Sequence, residues 1–193
     1  MDYLNRVWRI LESYSHLGER TLANGTRLIA PAPHVAPEAW LHQIFAPIDD
    51  QGIARLESDL GGPLPDEFTQ FLMRNNGLGI FSYSISIFGL RTSFARTGDA
   101  VWQPFSLLTP NIRERPRDAK ASFCFMGAYR DDASLLYIDT TDHQVYRCER
   151  HSAKPLNRWD DFSTMLESET ERISQLFDLE GRPFDPHALK TPA

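Results

Sequence analysis

Two short helical segments, each closed by a strong stop signal, constrain the fold of this chain most. The first spans residues 50–60, where apolar residues recur with helical spacing, and the sequence Gly-Gly-Pro at 61–63 ends it. The second begins at Pro65, because the missing N–H of proline would be unpaired in a first helical turn anyway. The sequence Asn-Asn-Gly at 75–77 ends it, since Asn and Gly accept left-handed backbone. Residues 50–77 are therefore predicted to form two consecutive helices.

A run of strands is predicted to follow these helices. Residues 80–88 alternate Phe, Tyr and Ile with Ser, a pattern typical of a strand with one buried face. A closing helix is predicted to begin near Asp160 and Asp161, whose short carboxylates can cap it. The predicted order is helices, then a mostly antiparallel meander, then a final helix. This order is typical of an α+β fold. The other strands are predicted at residues 121–127, 134–139 and 144–149, with a hairpin turn at 139–143.

The two ends of the chain differ from its middle. Residues 2–15 carry an amphipathic helical stripe, whereas residues 22–38 contain three prolines and are predicted to be an irregular linker. A length of 193 residues corresponds to one domain with an arm. We therefore expect an N-terminal helix and proline-rich linker over 1–37, an α+β domain over 38–180 and a C-terminal tail over 181–193.

Composition and charge exclude several functional classes. The net charge is −6 and the pI is about 5.5, which argues against direct nucleic-acid binding. The sequence has no run of about 18 apolar residues that would predict a membrane span. It also has no basic segment followed by an apolar run. We therefore expect no signal peptide, and we expect a cytoplasmic location. Cys124 and Cys148 are then expected to be two buried thiols rather than a disulfide.

No set of residues in the sequence converges on a known catalytic or cofactor site. The six histidines lack the local pairing typical of zinc ligands, so neither a metal nor another cofactor is expected. The paired carboxylates Asp131 and Asp132 are most simply explained by a loop between strands. The alternative is a small hydrolase that uses Asp131 and Asp132, or Cys148 with His143 or His151.

Three motifs are familiar as a set. Residues 64–72 read Leu-Pro-Asp-Glu-Phe-Thr-Gln-Phe-Leu and are followed by Asn-Asn-Gly at 75–77. Met-Gly at 126–127 precedes the hydrophobic segment Leu-Leu-Tyr-Ile-Asp at 135–139, and Trp-Asp-Asp-Phe stands at 159–162. Together these motifs resemble the opening signature, the strand pair and the closing helix of the SUKH superfamily. The similarity spans residues 38–177.

The resemblance implies both a fold and a function. The implied fold is a single α+β domain in which a strongly bent sheet of about six strands packs against helices, here with an extra N-terminal helix. The superfamily includes a fungal regulator of cell-wall synthesis and many bacterial immunity proteins. It therefore implies a non-catalytic protein-binding domain, an immunity protein that neutralises a cognate toxin such as a nuclease. A regulatory scaffold of the same fold is the alternative.

The candidate contact residues are exposed acids and aromatics that are predicted to lie in loops or at helix starts. Residues 159–180 hold seven acids and one base, which favours a basic protein partner. The sequence predicts no oligomeric state. The candidates are Tyr129, Arg130, Asp131, Asp132, Asp139, Asp142, Asp160 and Asp161.

Overall fold

The computed structural model describes residues 2–95 and 97–193. Within these ranges all strands belong to one nine-stranded sheet, in which each strand pairs antiparallel with the next along the chain. The helices and one face of the sheet share a single large hydrophobic core. The predicted α+β class is confirmed, and the sheet has more strands than the six or so that the resemblance implies.

The helices and strands have the following bounds. The α-helices are α1 (Asp2–Glu12), α2 (Asp50–Leu60), α3 (Asp66–Leu72) and α4 (Phe162–Ser174). The strands are β1 (Glu19–Thr21), β2 (Arg27–Pro31), β3 (Trp40–Ile44), β4 (Leu78–Ile80), β5 (Ile85–Ile87), β6 (Phe123–Tyr129), β7 (Leu135–Asp139), β8 (Val145–Cys148) and β9 (Pro155–Trp159). Shorter helical turns occur at Ser15–Leu17, Asp99–Val101 and Thr109–Arg113.

The predicted helix ends are confirmed by their capping contacts. Asp49 accepts a hydrogen bond from the N–H of Gly52 at the start of α2 (2.9 Å). Gly61 ends that helix in the left-handed conformation, with φ at 77°. Asp161 accepts from the N–H of Thr164 at the start of α4 (2.6 Å). Local sequence signals therefore fix where these helices begin and end.

Aromatic side chains join the helices to one another. Phe162 of α4 lies edge-on to Phe68 and Phe71 of α3, with ring centroids 5.6 and 5.0 Å apart. All three side chains are buried. Tyr3 of α1 also meets the ring of Phe162 edge-on. The motif residues Phe68 and Phe71 therefore belong to the hydrophobic core.

The prediction of an irregular linker over residues 22–38 is wrong for residues 27–31, which form β2. β2 lies between β1 and β3 in the sheet, so the proposed boundary at residue 37 separates two hydrogen-bonded neighbours. Pro31 is the last residue of β2, a position where a strand tolerates proline because pairing ends there. The sequence does not predict this strand, because the strand ends in the first of the three prolines.

The prediction of one continuous strand over residues 80–88 is also wrong. Phe81, Ser82 and Tyr83 have positive φ values of 51°, 55° and 65°, so the chain reverses and forms the β4–β5 hairpin. The reversal buries Phe81 completely, against the ring of His42 at 4.7 Å. Alternation of apolar and polar residues continues through the turn, which is why the sequence reads as a single strand.

The C-terminal segment packs back onto the domain. Residues 181–193 form no helix or strand, in line with a tail, but Lys190 is buried. The N–H of Lys190 donates to Asp131 (2.6 Å), and Arg147 donates to the carbonyl of Pro192 (2.7 Å). Among the described residues, no helix is both long and apolar enough to cross a membrane.

Gly77 provides a test of how helix α3 joins the sheet. Its φ is +96°, and an added Cβ would lie 2.5 Å from the backbone oxygen of Ile87. We expect Gly77→Ala to lower the free energy of unfolding by about 3 kcal/mol, from backbone strain and overpacking together. Urea denaturation measures this change.

Gly62 is the matched control for this prediction. A Cβ on Gly62 meets no heavy atom within 4 Å. Gly62→Ala should therefore change the free energy of unfolding by no more than about 0.5 kcal/mol. Equal effects of the two substitutions would contradict the proposed close approach at Gly77.

Candidate functional site

A row of directly paired residues crosses the sheet on the face away from the helices. Residues paired directly across neighbouring strands share one face of a sheet. Ile85 and Ile87, the neighbours of Ser86 on β5, belong to the core beneath the helices, so Ser86 points to the other face. The row consists of Leu28, Gln43, Gly79, Ser86, Ala128, Leu135 and Cys148.

Small side chains in the middle of this row leave room for a cavity of about 440 Å³. Its floor consists of Ser86, Ala128 and Leu135 on three neighbouring strands. Phe105 and Pro110, from the long connection between β5 and β6, form one wall. We call this space the row cavity. It is an apolar depression in the middle of the sheet.

Two buried asparagines hold this wall against the sheet. Asn76 donates to the carbonyl of Leu90 (2.8 Å) and accepts from the N–H of Leu90 (2.7 Å). Asn111 makes the same pair of bonds with Phe125 of β6, at 2.7 and 2.9 Å. Each side-chain amide thus forms the two hydrogen bonds that a neighbouring strand would otherwise form with that backbone residue. The connection over residues 89–120 is therefore anchored near both of its ends.

The reversed turn after β4 builds another wall of the row cavity. An added Cβ on Gly79 would lie 2.4 Å from Cε1 of Tyr83, so the tyrosine ring packs directly over this glycine. The same ring lies edge-on to Phe105, with centroids 5.4 Å apart. The left-handed backbone at Tyr83 is what turns its side chain back over the sheet.

Charged groups at the row cavity are mainly basic. Arg130 and Arg150 line it together with one acid, Glu114. Arg130 donates from Nη1 to the carbonyl of Ser82 (3.0 Å). Arg150 and Glu114 form an ion pair at 3.2 Å, and about half of each side chain is exposed to solvent. Burial raises the pKa of Tyr83 to about 12, so its hydroxyl is a neutral hydrogen-bond donor at neutral pH.

The structure corrects the expectation that Tyr129 is an exposed contact residue. Its side chain is 1% exposed, and its hydroxyl donates to Glu169 of α4 (2.6 Å). Burial and the Glu169 carboxylate raise the pKa of Tyr129 well above its ordinary value. Glu169 is buried as well and is paired with Arg172 at 2.6 Å. Tyr129 borders the row cavity, but its polar end is committed to the helix layer.

The carboxylates of Asp131 and Asp132 have partners within the chain. Asp131 receives the N–H of Lys190, as described above. Asp132 pairs with Arg147 at 2.6 Å, where the arginine side chain is only 9% exposed. Burial alone would raise the pKa of Asp132, but hydrogen bonds from Ser134 and Arg147 lower it below its ordinary value. These two acids therefore stabilise the turn after β6 and the C-terminal segment.

The remaining candidate acids differ in exposure. Asp139 is buried, against expectation, and hydrogen bonds from the N–H and hydroxyl of Thr141 compensate its carboxylate for the loss of water. Asp161 caps α4. Asp142 and Asp160 are exposed, as is Arg130 beside the row cavity. Contact of these residues with a partner stays a prediction.

The groups of the alternative hydrolase are not brought together in a reactive form. Cys148 is fully buried, and burial raises its pKa to about 12, so the thiolate needed for attack is scarce at neutral pH. His143 lines another cavity, which Cys124 also lines, and both His143 and His151 are exposed. Both cysteines are free thiols, but only Cys148 is buried as predicted, whereas Cys124 is half-buried. Within the described residues, no three His, Cys, Asp or Glu side chains converge on a possible metal site.

The sequence does not single out the residues that define the row cavity. Tyr83 reads as a buried strand residue, and Phe105 lies in a connection without periodicity. Arg150 is one of many charged residues near the predicted hairpins. The length of the connection over 89–120 is the one sequence signal that points to this region, because long connections often carry function.

Comparison with known families identifies the chain. The family model described as SMI1 / KNR4 family (SUKH-1) matches residues 47–168, more than half of the sequence. The chain belongs to this family. The matched SUKH-1 range contains α2, α3, β4–β9 and all residues that line the row cavity. No curated protein matches the chain.

Asp132 provides a test of the polar contacts at this site. Because its pKa is lowered in the folded state, its stabilising contribution is present above about pH 4 and is lost as pH falls through the folded pKa. We expect Asp132→Asn to lower the free energy of unfolding by about 1 kcal/mol at pH 7, a value reduced for partial exposure. The difference from wild type should shrink between pH 5 and pH 2.5 in urea titrations.

Asp160→Asn is the control for this measurement. Asp160 is exposed and makes no side-chain hydrogen bond within the described part of the chain. Its substitution should leave the pH dependence of stability close to that of wild type. A loss at Asp132 that persists unchanged at pH 2.5 would mean that its charge is not the cause.

Proposed function

We propose that this SUKH-1 chain is a non-catalytic protein-binding domain and that its partner is a protein toxin, which it neutralises. The observation that carries the proposal is family membership over residues 47–168. Immunity proteins and regulatory scaffolds are the functions that the superfamily resemblance implies. We place this activity in the cytoplasm, where a reducing environment keeps the two thiols free.

The state of the reactive side chains supports a role without catalysis. The thiol of Cys148 is buried and Asp132 is committed to Arg147. The hydroxyl of Tyr129 is committed to Glu169. A hydrolase would need a nucleophile and a base within hydrogen-bond reach of one another and of substrate. The hydrolase alternative therefore has less support than a binding role.

Surface charge supports a basic partner. In and beside α4, Asp160, Glu171 and Glu180 are exposed. Glu167 and Glu169 are partly neutralised by ion pairs with Arg6 and Arg172. We call Asp160, Glu171 and Glu180 the acidic surface, and we expect these charges to attract a cationic protein such as a nuclease. Such charges increase the rate of association more than they increase affinity.

Capture followed by rescue of growth tests the function. The tagged chain is purified from lysate of its native cells, and proteins bound in stoichiometric amount are identified by mass spectrometry. The captured protein is then expressed alone and together with this chain. We expect the captured protein to arrest growth when it is expressed alone. We expect growth to resume when this chain is co-expressed with it. Recovery of host enzymes that are harmless when expressed would instead favour the regulatory scaffold.

Charge reversal on the acidic surface gives a quantitative prediction. We expect Asp160→Lys to slow association with the captured basic partner by roughly threefold at low salt, because a rim charge changes the association rate. The difference should fall as salt screens the surface. Stopped-flow measurements at several salt concentrations determine both quantities.

Glu38→Lys is the matched control, because Glu38 is also exposed but lies before β3, outside the acidic segment. It changes the net charge by the same amount. Equal slowing by both substitutions would assign the effect to net charge and remove Asp160 from the contact surface.

A further inference from the structure

The row cavity has no role in the proposed binding of a toxin. Its volume of about 440 Å³ lies in the range of roughly 300–1,000 Å³ that is typical of small-molecule sites. It lies on the sheet face away from the helices, whereas the acidic surface is carried by α4. The two sites can therefore be tested separately.

The inner part of the row cavity suits an apolar group. Ala128 and Leu135 form its floor, and the ring of Phe105 stands at its wall with half of its surface exposed. Phe105 lies edge-on to Tyr83 and Phe88, at 5.4 and 6.2 Å between ring centroids, so its position is fixed by other aromatic rings. A ligand that covered this ring would remove apolar surface from water at little cost in ordering the wall.

The charged part of the row cavity suits an anion. Two of its three charged residues are arginines, on a chain whose net charge is −6. The bond from Arg130 to Ser82 uses one of the five N–H groups of the guanidinium, and the planar fork of arginine matches a carboxylate. Arg150 forms an ion pair with Glu114 in which both side chains are about half exposed. Such exposed ion pairs contribute little free energy.

Two strained turns meet at the end of the row cavity where Arg130 lies. Tyr83 and Ala133 both line the cavity and both have left-handed backbone, with φ at 65° and 56°. Arg130 joins the turns, because its backbone N–H donates to Ser84 (3.2 Å) and its side chain donates to Ser82. Such strain in non-glycine residues persists only where the surroundings hold it, and it is concentrated at functional sites.

We propose that the row cavity binds a small organic carboxylate with an aromatic or branched aliphatic body. The body lies on Ala128 and Leu135 against Phe105. The carboxylate is bound by Arg130 at the rim, with the hydroxyl of Tyr83 as a second donor. No bond to the ligand is made or broken, so the site is a binding site and not a catalytic one.

Three probes of equal shape and different charge test the proposal. They are 3-phenylpropanoate, 3-phenylpropanamide and 3-phenylpropan-1-amine, each titrated into the ¹⁵N-labelled full chain and followed by NMR. We expect the acid to bind saturably and to shift the amide signals of Ser86, Ala128 and Leu135. The amide should bind about tenfold more weakly, because a charge-assisted hydrogen bond is lost, and the amine should not bind.

Variants assign the two parts of the ligand to the two parts of the cavity. Arg130→Gln should remove the preference for the acid and leave the affinity for the amide unchanged within about twofold. Phe105→Ala, at an exposed wall residue that is not needed for the core, should weaken acid and amide alike. Arg158→Gln, at an exposed arginine of β9, is the control and should change neither affinity.

Several results would overturn the proposal. One is equal affinity for the three probes, and another is a set of shifted signals that lies away from the row cavity. A third is a loss of acid preference in Arg158→Gln as large as that in Arg130→Gln. The spectrum of each unliganded variant reports whether it is folded, so a loss of binding is interpreted only for variants with dispersed signals.

Discussion

The side-chain amide of Asn76 forms the contact on which the arrangement of helices, sheet and cavity depends. It stands four residues after the end of α3 and pairs with both backbone groups of Leu90, three residues after the end of β5. The close approach of Gly77 to Ile87 lies beside it. Leaving a buried backbone group unpaired costs about 1–3 kcal/mol, so loss of this amide would expose two such penalties together. These hydrogen bonds join the segment after α3 to the start of the connection over 89–120.

This contact explains why the motif shared with the SUKH superfamily is informative about fold and not about partner. Pro65 starts a helix, Phe68 fills the core and Gly77 allows a close contact, and none of the three lines the row cavity. The walls of the row cavity are formed by the connection over 89–120 and by turns, and the exposed acids lie in and beside α4. A scaffold fixed by a few core contacts can therefore carry different surfaces in different family members.

The sequence predicts those parts of the fold whose signals are local. α2 ends at Gly61 and α4 is capped by Asp161, as predicted, and the strands β6, β7 and β8 follow the expected pattern. The β4–β5 turn is missed, because its cause is not local: Phe81 is drawn into the core against His42, far away in sequence. β2 is missed because the prolines that follow it suggest an irregular segment.

The site is harder to predict than the fold, because exposure depends on distant partners. Tyr129 looks like a loop aromatic, yet its hydroxyl reaches Glu169, forty residues later in the chain. Asp132 looks like a free loop acid, yet it pairs with Arg147 on β8. Asp131 and Asp142 remain exposed, yet their carboxylates accept hydrogen bonds from the N–H of Lys190 and the hydroxyl of Tyr146. A surface list drawn from sequence therefore overstates how many charges are free to meet a partner.

The contacts of Tyr129 also bear on whether the two proposed sites influence each other. Tyr129 borders the row cavity and bonds Glu169, which pairs with Arg172 of the same acidic helix. Contact between sites is not coupling, since coupling requires an element with two arrangements of similar stability. Here the buried carboxylate is held by both a phenol and a guanidinium, and moving either would leave a buried charge underbonded. The network therefore favours one arrangement, and we expect the cavity and the acidic helix to bind independently.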